Sequence, residues 1–190
     1  MIHLGTKRLE TERLILRKIN DTDYAKAYQN WCSHEEVTKY VMWTKHKNEL
    51  QTKELFDKWI KEYDDNTTYR WIIELKENHK VIGTIDVSKK LLAFDTCTIG
   101  YCISDKYWNQ GIMTESLIRV IKYLFEECQA ETICAEYAES NPASGKVMQK
   151  SGMKYEGTLR NRIIDKNNIR NDLISYSITK EEYKKNQGWL

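Results

Sequence analysis

Cys97-Thr-Ile-Gly-Tyr-Cys-Ile-Ser-Asp-Lys-Tyr-Trp-Asn-Gln-Gly-Ile-Met-Thr-Glu-Ser-Leu-Ile-Arg-Val-Ile-Lys-Tyr-Leu-Phe125 changes its hydrophobic period halfway, and that change decides the fold. Over Cys97–Ile103 the residues alternate, with Thr98, Gly100 and Cys102 on one side and Cys97, Ile99, Tyr101 and Ile103 on the other. A period of two is that of a strand. From Leu117 onward Leu117, Val120, Ile121, Leu124, Phe125 and Cys128 make one apolar stripe, opposite Arg119, Lys122, Glu126 and Glu127. That is the period of a helix. Between the two lies the turn Trp108-Asn-Gln-Gly-Ile-Met-Thr114. Gly111 reaches backbone angles closed to other residues, and the amides after it have no partner inside the helix. A strand, a glycine turn and an uncapped helix N-terminus together form a cradle for phosphate.

Working outward, Arg13-Leu-Ile-Leu-Arg17 reads as a first strand. Asn20 and Asp21 are placed to cap a helix with Tyr24, Ala27, Tyr28 and Trp31 on its inner face. Ser33-His-Glu-Glu36 has capping-box spacing, and Asn48 precedes an amphipathic segment carrying Leu50, Leu55, Phe56, Trp59 and Ile60. Between these helices Tyr40, Val41, Met42 and Trp43 are unusually apolar for a loop. Tyr69–Leu75 and Val81–Val87 form a hairpin across the polar turn Lys76–Lys80. Thr132–Tyr137 is a fifth strand, reached through a crossover helix and so parallel to the fourth. Pro142 and Gly152 bracket another helix. Met153–Arg160 and Asn171–Ile178 make a closing antiparallel pair, and a charged tail from Thr179 adds a short helix. This is one mixed α/β sheet of about seven strands with no linker or repeat, and the expectation is a single domain over residues 1–190.

Composition narrows the function classes. A chain of 190 residues buries a real core, and 41% apolar content with one proline and eight glycines is not that of a disordered segment. Thirty basic and 28 acidic residues leave a net charge of +2, with signs interleaved, so no global field draws the chain to nucleic acid or membrane. No stretch approaches the ~20 apolar residues that span a bilayer, and no signal peptide opens the chain. Five cysteines without a Cys-x-x-Cys pair read as reduced thiols, which places the protein in the cytoplasm. The four histidines are scattered without ligand spacing, so no metal is expected. Cys97, Cys102, Cys128 and Cys134 fall in strands or on the apolar helix face and read as core.

Tyr107-Trp-Asn-Gln-Gly-Ile-Met-Thr-Glu115 resembles the acyl-CoA pyrophosphate loop of the GCN5-related N-acetyltransferases (GNAT), most closely that of the RimJ/RimL ribosomal-protein branch. Thr11-Glu-Arg-Leu-Ile-Leu-Arg17, Glu139-Ser-Asn-Pro-Ala-Ser144 and Ser151-Gly-Met-Lys-Tyr-Glu-Gly-Thr-Leu-Arg160 are similar to further blocks of that branch, in the family's order. The resemblance implies a mostly antiparallel sheet with strands 4 and 5 parallel and splayed, helices on both faces, and transfer of acetyl from acetyl-CoA to a primary amine. The amine is a protein N-terminus or a small molecule. A non-catalytic acyl-CoA-binding module of the same fold is the alternative, and the branch implies a homodimer.

The resemblance also implies site residues. Ile103, Trp108, Asn109, Gln110, Gly111, Ile112, Met113 and Thr114 would hold the cofactor's phosphate end. Asn141, with Ser144, would hold the pantetheine arm in the gap between the splayed strands, where free backbone groups pair with an extended ligand. An alkyl amine is mostly protonated at neutral pH, so a base must take its proton and an acid must protonate the leaving thiolate. By position Ser144 matches the branch's acid and Glu136 the fifth-strand base of RimI-type relatives. The RimI acid position holds Met148, and the RimL-type carboxylate position falls near Ile163, with Asp165 close in sequence. Tyr137 and Tyr155 are substitutes for either acid, and Tyr40 and Trp43 would wall the acceptor pocket. Plainer roles stand beside these: Gly111 as a helix-entry turn, Asn141 as an N-cap, Glu136 as an exposed strand residue paired with a lysine, Ser144 as a local hydrogen-bonder, and Tyr40 and Trp43 as packing under the helices.

Overall fold

The computed structural model describes residues 1–41, 43–91, 94–165 and 168–186. Met42, one of the four apolar loop residues, lies outside them. Two compact units emerge, one of His3–Asp86 with Tyr101–Ile112, the other of Met1–Ile2, Val87–Gly100 and Met113–Leu190.

In the first unit, strands β1 (Leu9–Glu10), β2 (Leu14–Arg17), β3 (Arg70–Leu75) and β4 (Val81–Leu91) pair antiparallel in sequence order. Leu14, Ile15 and Leu16 are all buried, as are Trp71 to Leu75, so these strands are covered on both faces. Helices α1 (Asp23–Ala27), α2 (Glu35–Thr38) and α3 (Glu49–Lys61) cover one of those faces. Ala27, Trp31, Cys32, Val37 and Phe56 meet Ile72 and Val81 there. Asn48 caps α3 as expected, its side chain accepting from Gln51 N–H at 2.9 Å.

Two capping expectations fail for a common reason. Asp23 turns back on the preceding loop, accepting from Asn20 N–H at 2.8 Å, and Arg17 grips the same carboxylate at 2.7 and 2.9 Å. Neither Asn20 nor Asp21 caps α1, which starts behind Thr22. The chain leaves α1 through a π-helical turn, Tyr28–Cys32, and Ser33 Oγ donates to the Tyr28 carbonyl at 2.7 Å. Ser33 therefore closes the turn before it, and α2 opens at Glu35 behind His34. Leu50, one of the apolar residues of the segment after Asn48, is 61% exposed.

Strand β5 (Thr96–Ile103) pairs parallel with β6 (Thr132–Ala138) over Thr96–Ile99, with α4 (Ile112–Glu126) as the crossover. Every apolar residue of the expected α4 stripe is buried. Helix α5 (Pro142–Lys150) follows β6, and Gly152 turns the chain left-handed at φ 84° after it. Then come β7 (Lys154–Ile164), β8 (Arg170–Thr179) and α6 (Lys180–Asn186). The strand order is β1-β2-β3-β4-β5-β6-β8-β7: a mixed sheet of eight strands, two-residue β1 being the addition to the expected seven. No helix among the described residues is long and apolar enough to cross a membrane.

Candidate active site

The chain leaves β5 through a 3₁₀ turn, Asp105–Tyr107, and then makes two left-handed residues, Asn109 at φ 59° and Gly111 at φ 75°. Asparagine tolerates this conformation better than most residues, so the turn needs both. Several side chains lock the loop by its carbonyl oxygens. Trp108 Nε1 donates to the Ile103 carbonyl at 3.1 Å and Gln110 Nε2 to that of Lys106 at 2.9 Å. Arg13 donates to the Gln110 carbonyl at 3.1 Å. With those acceptors used, the N–H groups of Asn109, Gln110, Gly111, Met113 and Thr114 meet no acceptor among the described residues. The loop therefore presents donors, at the N-terminus of a 15-residue helix. Ile112 and Met113 bury their side chains, leaving the backbone as what they offer a ligand. Trp108, Asn109, Gln110 and Gly111 are exposed.

A second clasp steadies the turn. His34 Nδ1 lies 3.1 Å from Asp105 Oδ1, and its Nε2 lies 3.0 Å from the Gln29 carbonyl oxygen. Burial alone would raise the Asp105 carboxyl. The bond and charge of His34, with the Asp105 and Lys106 amides, outweigh it and hold the group below the ordinary aspartate range.

Past β6 the arrangement differs. Parallel register with β5 ends at Ile99↔Ala135, while β6 runs on to Ala138 against β8. Asn141 stands at the N-cap position of α5 but its side chain caps nothing; Nδ2 donates to Ser144 Oγ at 3.0 Å. The plain capping role is thus not the one this side chain plays. Gly145 is buried against Tyr137, where a Cβ would stand 2.7 Å from the ring. Tyr137 begins a row with Tyr176 and Tyr155, at centroid spacings of 6.1 and 5.8 Å. Burial, then neighbouring Tyr176, Glu139 and Tyr155, raise the Tyr137 phenol, so it stays protonated. Glu136 is exposed, and strand alternation turns it to the face opposite Tyr137 and α5. Its company there is Cys134, whose thiol is raised by burial and then by Glu136 and Glu156. Ser144 and Glu136 accordingly stand on different faces of this unit.

Trp43 packs against the first unit's core, 5.4 Å from the His46 ring, so packing describes it well; Tyr40 is half-buried beside Lys39. All five cysteines are free thiols. Burial raises the thiols of Cys32 and Cys102, the latter to about 12, which suits core residues rather than nucleophiles. No cluster of His, Cys, Asp and Glu fit for a metal occurs among the described residues.

Sequence reasoning gave no role to Arg13, His34 or Asp105, which act from outside the glycine turn, nor to Asn109's conformation. Arg13 sits inside one of the quoted family blocks, which was its signal.

Comparison with known proteins agrees with this geometry. Residues 13–154 match the family model described as an acetyltransferase (GNAT) domain. The uncharacterized N-acetyltransferase YoaA of Bacillus subtilis is 32% identical over 172 residues, 90% of this chain and 96% of its own. The ribosomal protein uS5-alanine N-acetyltransferase of Escherichia coli is 27% identical over 89 residues, 46% of each chain. Among solved structures, a GNAT-family acetyltransferase from Bacillus anthracis superposes with a TM-score of 0.81 at 26% identity, covering 92% of this chain and 99% of that one. A matching family model over most of the chain, a relative aligned nearly end to end and the parallel β5–β6 pair with its donor loop converge: this chain belongs to the GNAT acetyltransferases.

Proposed function

We propose that this chain, acting as one domain in the cytoplasm, moves acetyl from acetyl-CoA to a primary amine by direct attack. The observation that carries the reading is the loop after β5, in which side chains hold the Ile103, Lys106 and Gln110 carbonyls while the Asn109, Gln110, Gly111, Met113 and Thr114 amides meet no acceptor among the described residues. A diphosphate fits such a row of donors. Trp108, Asn109, Gln110, Gly111, Ile112, Met113 and Thr114 would hold it, with Ile103 fixed behind them through Trp108. Asn141 and the open edge of Glu136–Ala138 would take the pantetheine amides. The backbone of β5 would stabilise the thioester oxyanion.

In the reaction the amine nitrogen, once deprotonated, bonds to the thioester carbonyl carbon, and the carbon–sulfur bond breaks. Ser144 would protonate the departing thiolate. Asn141 Nδ2 donates to its oxygen and so fixes the position of that side chain. Glu136 holds the base position of RimI-type relatives but faces away from Ser144, so it would act on the amine only through solvent, and Tyr40 with Trp43 would be the acceptor wall. A protein N-terminus is the favoured acceptor, since that is what the uS5-alanine enzyme acts on. The protein acts without metal and as a homodimer.

Calorimetric titration with CoA, followed by incubation of labelled acetyl-CoA with an alanine-initiated hexapeptide, a serine-initiated one and spermidine, tests the reading. Micromolar CoA binding with label on one amine is expected. Binding without transfer to any amine would favour a non-catalytic module, and no binding would remove the function altogether.

A further inference from the structure

The Thr11–Arg17 block supplies more than the opening strands of the sheet. Thr11 N–H donates to the Leu14 carbonyl at 3.1 Å, and Thr11 Oγ1 accepts from Leu14 N–H at 3.0 Å, which ties the β1–β2 turn shut. From just past β3, Lys76 N–H holds the Arg13 carbonyl at 2.9 Å. Its Nζ holds the Thr11 carbonyl at 2.7 Å and the Glu10 carboxylate at 2.9 Å. Leu14 is fully buried beside them. The backbone of Arg13 is therefore fixed, while its side chain lies on the surface. A surface arginine is ordinarily left to move, because holding it in one geometry costs side-chain entropy. This one is instead held to the Gln110 carbonyl, 97 residues along the chain and in the same unit, at 3.1 Å.

What the bond fixes is the peptide between Gln110 and Gly111. A trans peptide is planar, and its C=O and N–H point in opposite directions. With the oxygen turned to Arg13, the Gly111 N–H points away, and it meets no acceptor among the described residues. Gly111 does not make this choice itself. Lacking a Cβ, it takes its φ of 75° or a negative φ with similar ease, so the peptide before it can turn over. Turned over, that peptide would present an oxygen where the loop otherwise presents donors. Arg13 is placed to prevent this: a Cβ on Gly111 would lie 3.6 Å from its Nη2, in ordinary contact. The guanidinium charge on the oxygen also polarises the N–H at the other end of the same peptide, making it a stronger donor.

Resting on the acetyltransferase reading above, we propose that Arg13 is a positioning residue for acyl-CoA. It latches the Gln110–Gly111 peptide in the orientation that offers the Gly111 N–H to the cofactor's diphosphate, and it acts through that peptide without touching a phosphate. Thr11 and Lys76 are the mount that keeps the latch in place. The latch bears on how tightly acyl-CoA is held and not on the transfer step, so its loss should appear in KM for acetyl-CoA and leave kcat alone.

The test compares the full chain with Arg13→Met, Arg13→Ala and Arg13→Lys. Calorimetry with CoA should give Arg13→Met and Arg13→Ala a Kd raised roughly tenfold, and Arg13→Lys, which keeps a charged donor, a smaller loss. With the alanine-initiated hexapeptide as acceptor, KM for acetyl-CoA should rise by the same factor at unchanged kcat. Melting temperatures should stay within about 2 °C of the parent, as for most surface changes. A second readout needs no ligand: the nuclear Overhauser effect between Gln110 Hα and Gly111 N–H reads the orientation of the peptide between them. It should be alike in the parent and Arg13→Lys and altered in the other two. Parental CoA affinity in Arg13→Met would overturn the proposal. So would weaker CoA binding with an unaltered Overhauser effect, which would put Arg13 on the phosphate itself, and so would failure of both Arg13→Met and Arg13→Ala to fold. If the parent does not bind CoA, the acetyltransferase reading fails, and the Overhauser comparison alone decides whether Arg13 sets the peptide.

Discussion

Gly111, in the loop after β5, and Gly145, in the helix after β6, are both glycines near a helix start, and they are glycines for opposite reasons. At Gly111 there is room: a Cβ would find only Arg13 Nη2, at 3.6 Å. The backbone, at φ 75°, is what excludes other residues. Gly145 has no left-handed angle, but a Cβ would strike the Tyr137 ring at 2.7 Å. One position stores conformation and the other stores proximity. Substitutions that respect shape but not angle, or angle but not shape, should therefore separate the two regions.

The largest effect is expected at Gly111→Val. A β-branched residue held left-handed costs about 1–3 kcal/mol, and the loop relieves it by moving. CoA binding should fall at least about 100-fold, or about 2.7 kcal/mol, while circular dichroism stays that of a folded protein. Gly111→Asn is the sharper probe, because asparagine already adopts this conformation two residues earlier at Asn109. It should keep CoA affinity within a few-fold. Equal loss in both variants would mean that room, not angle, decides Gly111, and the contrast would collapse.

Gly145→Ala comes next and should act on stability first. Overpacking of this kind costs about 1–3 kcal/mol, a drop of several degrees in melting temperature for a chain of this size. Because the clash is with one ring, Gly145→Ala with Tyr137→Val should lose less than the sum of the two single changes. Strict additivity would show that the Tyr137 ring is not what limits the position.

The same contrast marks what a sequence discloses. The β5–loop–α4 passage was legible because its signals are local: a period of two, a glycine, then a period of 3.6 with a stripe that proved wholly buried. Pro142 and Gly152 bracketed α5 on equally local grounds. Proximity is not local. Nothing in the order of residues says that β8 lies between β6 and β7, that Tyr137 leans on Gly145, or that Arg13 reaches the Gln110 carbonyl. Leu50 is one of the apolar residues after Asn48, yet it lies exposed. Ser33 and Glu36 had capping-box spacing, yet a π-helical turn upstream claimed the serine. Carboxylates were hardest of all, since Asp23, Glu74 and Asp86 look alike in sequence and differ only in which cations reach them.

The smallest expected effect belongs to the His34–Asp105 clasp behind the loop. Burial works against the Asp105 carboxylate, and the His34 bond more than offsets it, so the folded value lies below that of an unfolded aspartate. A group lowered on folding stabilises the fold above its unfolded value, about 3.9, and loses that contribution as pH falls through the folded one. At neutral pH the contribution is fully present but modest, because the side chain is 34% exposed and screened by solvent. Asp105→Asn should thus melt slightly earlier than the parent at pH 7, and the two curves should converge as pH drops below about 4. Gly145→Ala, which involves no charge, should stay offset from the parent by the same margin over that range. If the Asp105→Asn gap also stays constant, the clasp is held by shape alone, and the loop after β5 would resemble the corner after β6 more than its angles suggest.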